Sequence, residues 1–198
     1  MPAAQRRITR EDIMPIADYA KIRGDQRKRI SEMKRLRRVE VGPYATFYFE
    51  NYDTMWHQVH EMLIVEKGGE AQIQDELGAY NPLIPNGDEL VATIMFEIDE
   101  PRRREAALHA LGGVENHMLL SIGGTAVRGD PDPTRENTSP EGKASSVQFV
   151  RFPLTPEQKK AFAGSEAPVT IGFDHPRYGH LATVPPEVRR TLAGDLQL

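Results

Sequence analysis

The chain has no cysteine among its 198 residues, which excludes disulfides, thiolate nucleophiles, cysteine-ligated zinc and any iron–sulfur cluster held by this chain alone. A metal would have to be met by His, Asp and Glu. No apolar run approaches the roughly 18 residues needed to span a bilayer, and the opening MPAAQRRITRED has no apolar signal core after its charges. The expectation is therefore a cytoplasmic protein with no membrane association. No G-x-G-x-x-G and no P-loop is present; the glycine pairs at 68–69, 112–113 and 123–124 fit helix ends and turns. No period of about 20–50 residues recurs, which argues against a solenoid or propeller. Tryptophan occurs once, at Trp56, most simply as a core or edge anchor.

What is there is ordinary for a soluble globular chain: 39% hydrophobic and 27% charged residues, and enough length for one sizeable core. A single domain over 1–198 is expected, with a basic helical segment at 1–38 and an α+β core at 39–198. The net charge of −4 conceals polarity, because residues 1–38 hold twelve Lys/Arg against five Asp/Glu. That favours an internal clasp or an acidic partner. Nucleic acid is disfavoured, since Tyr19 is the segment's only aromatic for base stacking.

The local pattern predicts a short helix around Pro15 to Ile22, interrupted at Gly24, and a second capped by Asp25 with Ile30, Met33 and Leu36 inward. Val39 to Phe49 reads as a strand bent at Gly42-Pro43. A central helix begins at Asp53 or Thr54 and ends near Gly68-Gly69, followed by another over about Ala71 to Tyr80. Leu90 to Ile98 alternates with apolar side chains on both faces, as a central strand does. Pro101 opens a helix closed by Gly112-Gly113, and His117 to Val127 reads as a further strand. Residues 128–145 lack a large apolar side chain and read as a long mobile hairpin loop. Val147 to Phe152 and Val169 to Phe173 are strands, Thr155-Pro156-Glu157-Gln158 starts a helix with a capping box, and another helix follows Pro185-Pro186. The order gives an α+β fold with a mostly antiparallel sheet packed with several helices.

On a helical wheel Met55, Val59, Met62, Leu63 and Glu66 share one face of the central helix, and His57, His60 and Glu61 the opposite one. Glu66 then sits where an apolar side chain belongs, and a carboxylate carried into a core must be paired, neutralised or metal-bound. If Glu61, Glu66 and Glu76 converge, they could bind a divalent metal through oxygen or act as an acid–base pair. The plainer reading is arginine pairing, with Arg35, Arg37 and Arg38 as partners, beside an ordered turn at Tyr80, Asn81 and Pro82. The His57/His60 spacing misses the zinc-protease motif by one residue. A two-His, one-carboxylate site with Glu61 remains an alternative to a solvated polar face. Asp174 and His175 follow a strand without an identified nucleophile, and a His-Pro turn explains them as well.

The run Gln58-Val59-His60-Glu61-Met62-Leu63-Ile64-Val65-Glu66, with Glu76 through Pro85 and Glu89-Leu90-Val91-Ala92-Thr93, resembles a bacterial family catalogued as domain of unknown function 3501. The likeness extends from Ile8 through Asp174-His175-Pro176 to Leu196. The resemblance implies genes beside rubrerythrin-like diiron proteins and iron–sulfur oxidoreductases, and hence a protein partner in peroxide defence or electron transfer. It also implies that Gln58, Glu61, Met62, Glu66 and the Tyr80-Asn81-Pro82 turn matter more than His57 and His60. Three functions are carried forward: a cofactor-free accessory protein docking on a redox partner, a carboxylate-ligated metalloprotein or small metal-dependent enzyme at Glu61, Glu66 and Glu76, and RNA binding by the basic helices.

Overall fold

The computed structural model describes residues 6–164 and 166–198. The first five residues of the basic N-terminal segment, on which part of the reading above falls, lie outside the described residues. In chain order the elements are α1 (Ile16–Arg35), β1 (Arg38–Val41), β2 (Ala45–Phe49), α2 (Tyr52–Glu66), α3 (Gly69–Tyr80), β3 (Glu89–Phe96) and α4 (Pro101–Ala110). Then follow β4 (Met118–Ile122), β5 (Thr125–Arg128), β6 (Asp130–Pro131), β7 (Val147–Pro153), α5 (Pro156–Gly164), β8 (Val169–His175), β9 (Tyr178–Thr183) and α6 (Pro186–Ala193).

β3 organises the molecule. Its alternation sends Leu90, Ala92, Ile94 and Phe96 into one core and Val91 into another, so both faces are covered. It lies third in a sheet of order β1-β2-β3-β7-β6, and a second sheet runs β5-β4-β8-β9. Every strand pairing is antiparallel. The two sheets face each other across the larger core, where Phe47 meets Phe173 with ring centroids 5.1 Å apart and Phe152 at 6.4 Å. Each such fully buried side chain contributes about 1.5–3 kcal/mol through removal from water. The other face of the first sheet carries Val91 and Phe149 under Met55, Val59 and Leu63 of α2 and Ile73 and Leu77 of α3. α1 packs on α2. The layers are thus sheet, sheet and helices, an α+β architecture as the element order predicts.

Two buried polar ties close the structure. Arg37, at the α1–β1 junction, forms an ion pair with Asp195 and donates to the carbonyls of Phe49 and Glu50, both at 3.0 Å. Burial pushes the Asp195 carboxyl up, and the Arg37 guanidinium opposes that. The Tyr178 hydroxyl donates to the Val41 carbonyl at 2.7 Å and accepts from the Ala45 N–H at 3.1 Å, clasping β9 to the β1–β2 turn. Gly42 in that turn has φ +65°, and a Cβ there would stand 2.7 Å from the Tyr178 oxygen. Only glycine satisfies both conditions.

Several expectations are corrected. α1 runs unbroken through Gly24, whose penalty of about 1 kcal/mol against alanine is small beside nineteen other helical residues. Leu36 is exposed rather than inward, because the helix ends at Arg35 and the chain turns into β1. The bent strand is the β1–β2 hairpin, and His117 to Val127 is a hairpin turning at Gly123-Gly124. β9 carries no strand signature in the sequence, because its residues after Tyr178 are mostly exposed and show no apolar alternation. The segment read as a mobile hairpin loop is a hydrogen-bonded crossover between the sheets. Asp130 and Pro131 pair with β7, Ser145 N–H donates to Asn137 at 2.7 Å, and Ala144 N–H donates to Leu108 at 3.0 Å. Its polar composition supplies partners for its own turns.

Candidate functional site

α2 carries most of the nominated residues and is built from local rules. Asn51 caps it, its side chain accepting from the Thr54 N–H at 3.0 Å while the Thr54 hydroxyl accepts from the Asn51 N–H at 3.0 Å. Lys67 ends it in the left-handed region at φ 54°. Met55, Val59 and Leu63 face the first sheet as the wheel predicts.

The opposite face is not solvated. α1 covers it, and the Tyr19 ring lies edge-on to Trp56 at 5.7 Å and near His60 at 4.6 Å. His60 is fully buried: Nδ1 lies 2.7 Å from the Trp56 carbonyl and Nε2 accepts the Met14 N–H at 3.0 Å. These partners assign a neutral Nδ1–H tautomer, and burial holds its pKa below the usual histidine value. With both ring nitrogens occupied, His60 has no lone pair for a metal. Glu61 is gripped by Arg23 through Nε at 3.0 Å and Nη2 at 2.8 Å, and accepts from Tyr19 at 3.1 Å. The guanidinium pulls the Glu61 carboxyl down, whereas burial pushes the Tyr19 hydroxyl up. His57 Nδ1 sits 2.7 Å from the Tyr19 oxygen, with its pKa lowered chiefly by burial.

Glu66 departs from the wheel's prediction. It is exposed, because it is the last residue of α2, beside the Lys67 cap, where the chain swings away into α3. Its carboxylate accepts from Gln72 Nε2 at 3.0 Å, and the same amide donates to the buried Glu76 at 2.9 Å. Tyr80 hydrogen-bonds Gln58 beside this pair, and its hydroxyl is pushed up by burial. Asn81 works as a staple. Its side chain accepts from the Ile8 N–H at 2.7 Å and donates to the Ile8 carbonyl at 2.9 Å, holding the N-terminal segment against the end of α3.

The expected partners Arg35, Arg37 and Arg38 serve none of these carboxylates; Arg23 serves Glu61. Glu61 therefore belongs to the α1 side of α2, while Glu66 and Glu76 belong to the α3 side. Asp174 and His175 end β8 in the second sheet. Arg128 and His117, whose Nδ1 is 3.0 Å away, pull the Asp174 carboxyl down to about 2, Arg128 contributing most. His175 is buried, accepts the Arg177 N–H at 3.2 Å and meets the His117 ring edge-on at 5.0 Å. His117 was not singled out in the sequence. Its neighbour Met118 pairs with Phe173, and only that register brings it to Asp174. Among the described residues no group of three or more His, Asp and Glu is arranged to hold a metal ion.

Several concave surfaces lie elsewhere, three of them adjoining along α3. A cleft of about 680 Å³ is lined by Arg6, Arg7, Arg10, Gln74, Gly78 and Asn81 among others. It shares Arg10 with an apolar pocket of about 210 Å³ beside Ile13, Leu63 and Ile73, and shares Gly78 and Pro82 with a cleft of about 530 Å³ holding Arg135 and Arg151. Nothing in the arginine spacing distinguishes these cations from solvated ones, so the cleft has no signature in the sequence.

The layers and their charged cleft define an α+β protein with a helical cover on one face of a two-sheet core. Residues 7–196 match the family described as "Protein of unknown function (DUF3501)", and the chain belongs to that family. It is similar to a crystal structure, at 1.90 Å resolution, of a protein of unknown function from Burkholderia pseudomallei, with 37% sequence identity and a TM-score of 0.88. That alignment covers 96% of this chain and 99% of the other. No curated protein matches the chain.

Proposed function

We propose that this chain is a cytoplasmic accessory protein that works by docking on a redox partner, of the rubrerythrin-like or iron–sulfur oxidoreductase kind that the family resemblance implies. The observation that carries this reading is how the nominated chemical groups are spent. Glu61 answers Arg23, His60 has both nitrogens bonded, and Asn81 holds the N-terminal segment, so these side chains build the helical layer. A carboxylate already neutralised by a guanidinium gains little from a cation and would have to break that pair to take one. Purification of the tagged chain from its native cells tests the reading by mass spectrometry. A stoichiometric diiron or iron–sulfur protein is the expected companion; recovery of the chain alone under mild, low-salt conditions contradicts it.

A second reading, a carboxylate-ligated metal, has one observation in its favour. Glu66 and Glu76 both accept from the Gln72 Nε2, so the two carboxylates converge on one point that a bridging ion could take if that amide rotated away. Elemental analysis after expression with iron, manganese or zinc decides it: a stoichiometric metal lost in Glu66→Gln supports this reading. RNA binding has less in its favour, because Tyr19 is buried and offers no face to a base.

A further inference from the structure

The three cavities along α3 adjoin as one groove, the central one sharing Arg10 with the apolar pocket and Gly78 and Pro82 with the far cleft. Glu70 and Ile73 border the apolar pocket, Gln74, Leu77 and Gly78 the central cleft, and Gly78 and Ala79 the far one. These positions recur every three to four residues, so one stripe of the helix forms the groove wall from end to end. Twelve helical residues extend about 18 Å, the span of about five or six residues of extended peptide. Its lining carries Arg6, Arg7, Arg10, Arg135 and Arg151 against Glu70 and Asp132, a surplus of positive charge. Arg7 makes no ion pair among the described residues, Arg10 faces Glu70, Arg151 faces Glu89, and Arg135 stands 3.8 Å from Asp132. The end beside Ile13 and Ile73 is apolar, with the exposed Ile16 on its rim.

Resting on the docking reading above, we propose that this groove receives an acidic extended segment of the partner protein. One aliphatic side chain seats beside Ile13 and Ile73, and carboxylates face Arg7, Arg10, Arg135 and Arg151. The Arg10–Glu70, Arg135–Asp132 and Arg151–Glu89 pairs lie partly in solvent and are worth little, so a peptide carboxylate can share or replace those partners at small cost. A guanidinium that grips it in bidentate fashion gives an extended acidic chain register as well as attraction. A nucleic acid fits less well, since among the described residues no aromatic side chain lines any of the three cavities to stack a base.

Gly78 provides the test. A Cβ at this position meets no heavy atom within 4 Å, so Gly78→Glu keeps the fold while placing a negative charge between the two cationic clefts. The probe is a fluorescein-labelled hexapeptide of one leucine followed by five alternating aspartates and glutamates, titrated with the full chain at low salt. Saturable binding is expected, weakened at least tenfold by Gly78→Glu, unchanged by Gly78→Ala and weakened about tenfold when the leucine becomes aspartate. Absence of saturable binding, equal binding by Gly78→Glu, or tighter binding of a uridine hexanucleotide would each overturn the proposal. A native partner retained by Gly78→Glu also overturns the groove while leaving the docking reading intact. A chain that binds the peptide yet captures no partner from its cells contradicts the docking reading instead.

Discussion

The two cores on either side of β3 are built on different principles. Between the sheets, Phe47, Ile94, Phe152 and Phe173 interlock with almost no polar atom, and the buried Arg37–Asp195 pair stands at the margin. Beneath and between the helices, a smaller apolar cluster is overlaid by a polar seam of Tyr19, Arg23, His57, His60 and Glu61. The first arrangement is non-directional and responds to lost volume. The second depends on hydrogen-bond geometry and on protonation, so it responds to pH and to single-atom changes. A polar-rich helical layer on a rigid sandwich therefore need not signal catalysis; here it fixes how α1 and the N-terminal segment sit, and these form one wall of the arginine-lined groove.

The largest effect that would sharpen this contrast is Phe47→Ala, expected to cost about 3–5 kcal/mol in urea unfolding through lost burial and a residual cavity. A loss under 1 kcal/mol would mean the sheet core is loosely packed. Acidification should strike the helical layer next. The pKa of His60 in the fold lies below its ordinary 6.5, so its contribution is complete above pH 6.5 and is lost as pH falls beneath that value. His57 shifts in the same direction, whereas Glu61, held below its ordinary 4.5, keeps its full contribution across this range and loses it only as pH falls beneath 4.5. Thermal melts between pH 7.5 and 5, a range set by the unperturbed histidine value, should show the decline in wild type and a flatter profile in His60→Gln. An equal slope in both proteins would remove His60 from the account.

Smaller again is Tyr19→Phe, which deletes the hydroxyl shared by His57 and Glu61 and should cost about 1–2 kcal/mol by equilibrium unfolding. The smallest change should be a gain. Gly24→Ala puts a methyl where no heavy atom lies within 4 Å, in the middle of α1, and should stabilise the protein by about 0.5–1 kcal/mol. A loss there would show that α1 is strained at Gly24.

The parts legible in the sequence were those decided locally. β3 announced itself by alternation covered on both faces, and α4 by Pro101 in its first turn, where the structure adds the Glu100 cap. The Thr155–Gln158 box is present, with the Thr155 N–H donating to Gln158 at 2.9 Å and the Gln158 N–H to Thr155 at 3.3 Å. What was not legible depended on neighbours distant in sequence. A helical wheel gives the phase of Glu66 but not that α2 ends at that residue. It gives the phase of His60 but not that α1 lies over that face. Asn81 reads as a turn former, and its backbone-like pairing with Ile8 follows from a contact 73 residues away. The groove was hidden for the same reason, since Arg7, Gly78 and Arg135 meet only in the folded chain.

One side-by-side capture from native cells separates a working groove from working carboxylates. Wild type, Gly78→Glu and Glu66→Gln are purified under identical low-salt conditions and their companions quantified by mass spectrometry. The expected outcome is a redox partner held by wild type and by Glu66→Gln and lost from Gly78→Glu. Retention by Gly78→Glu together with loss from Glu66→Gln would contradict it.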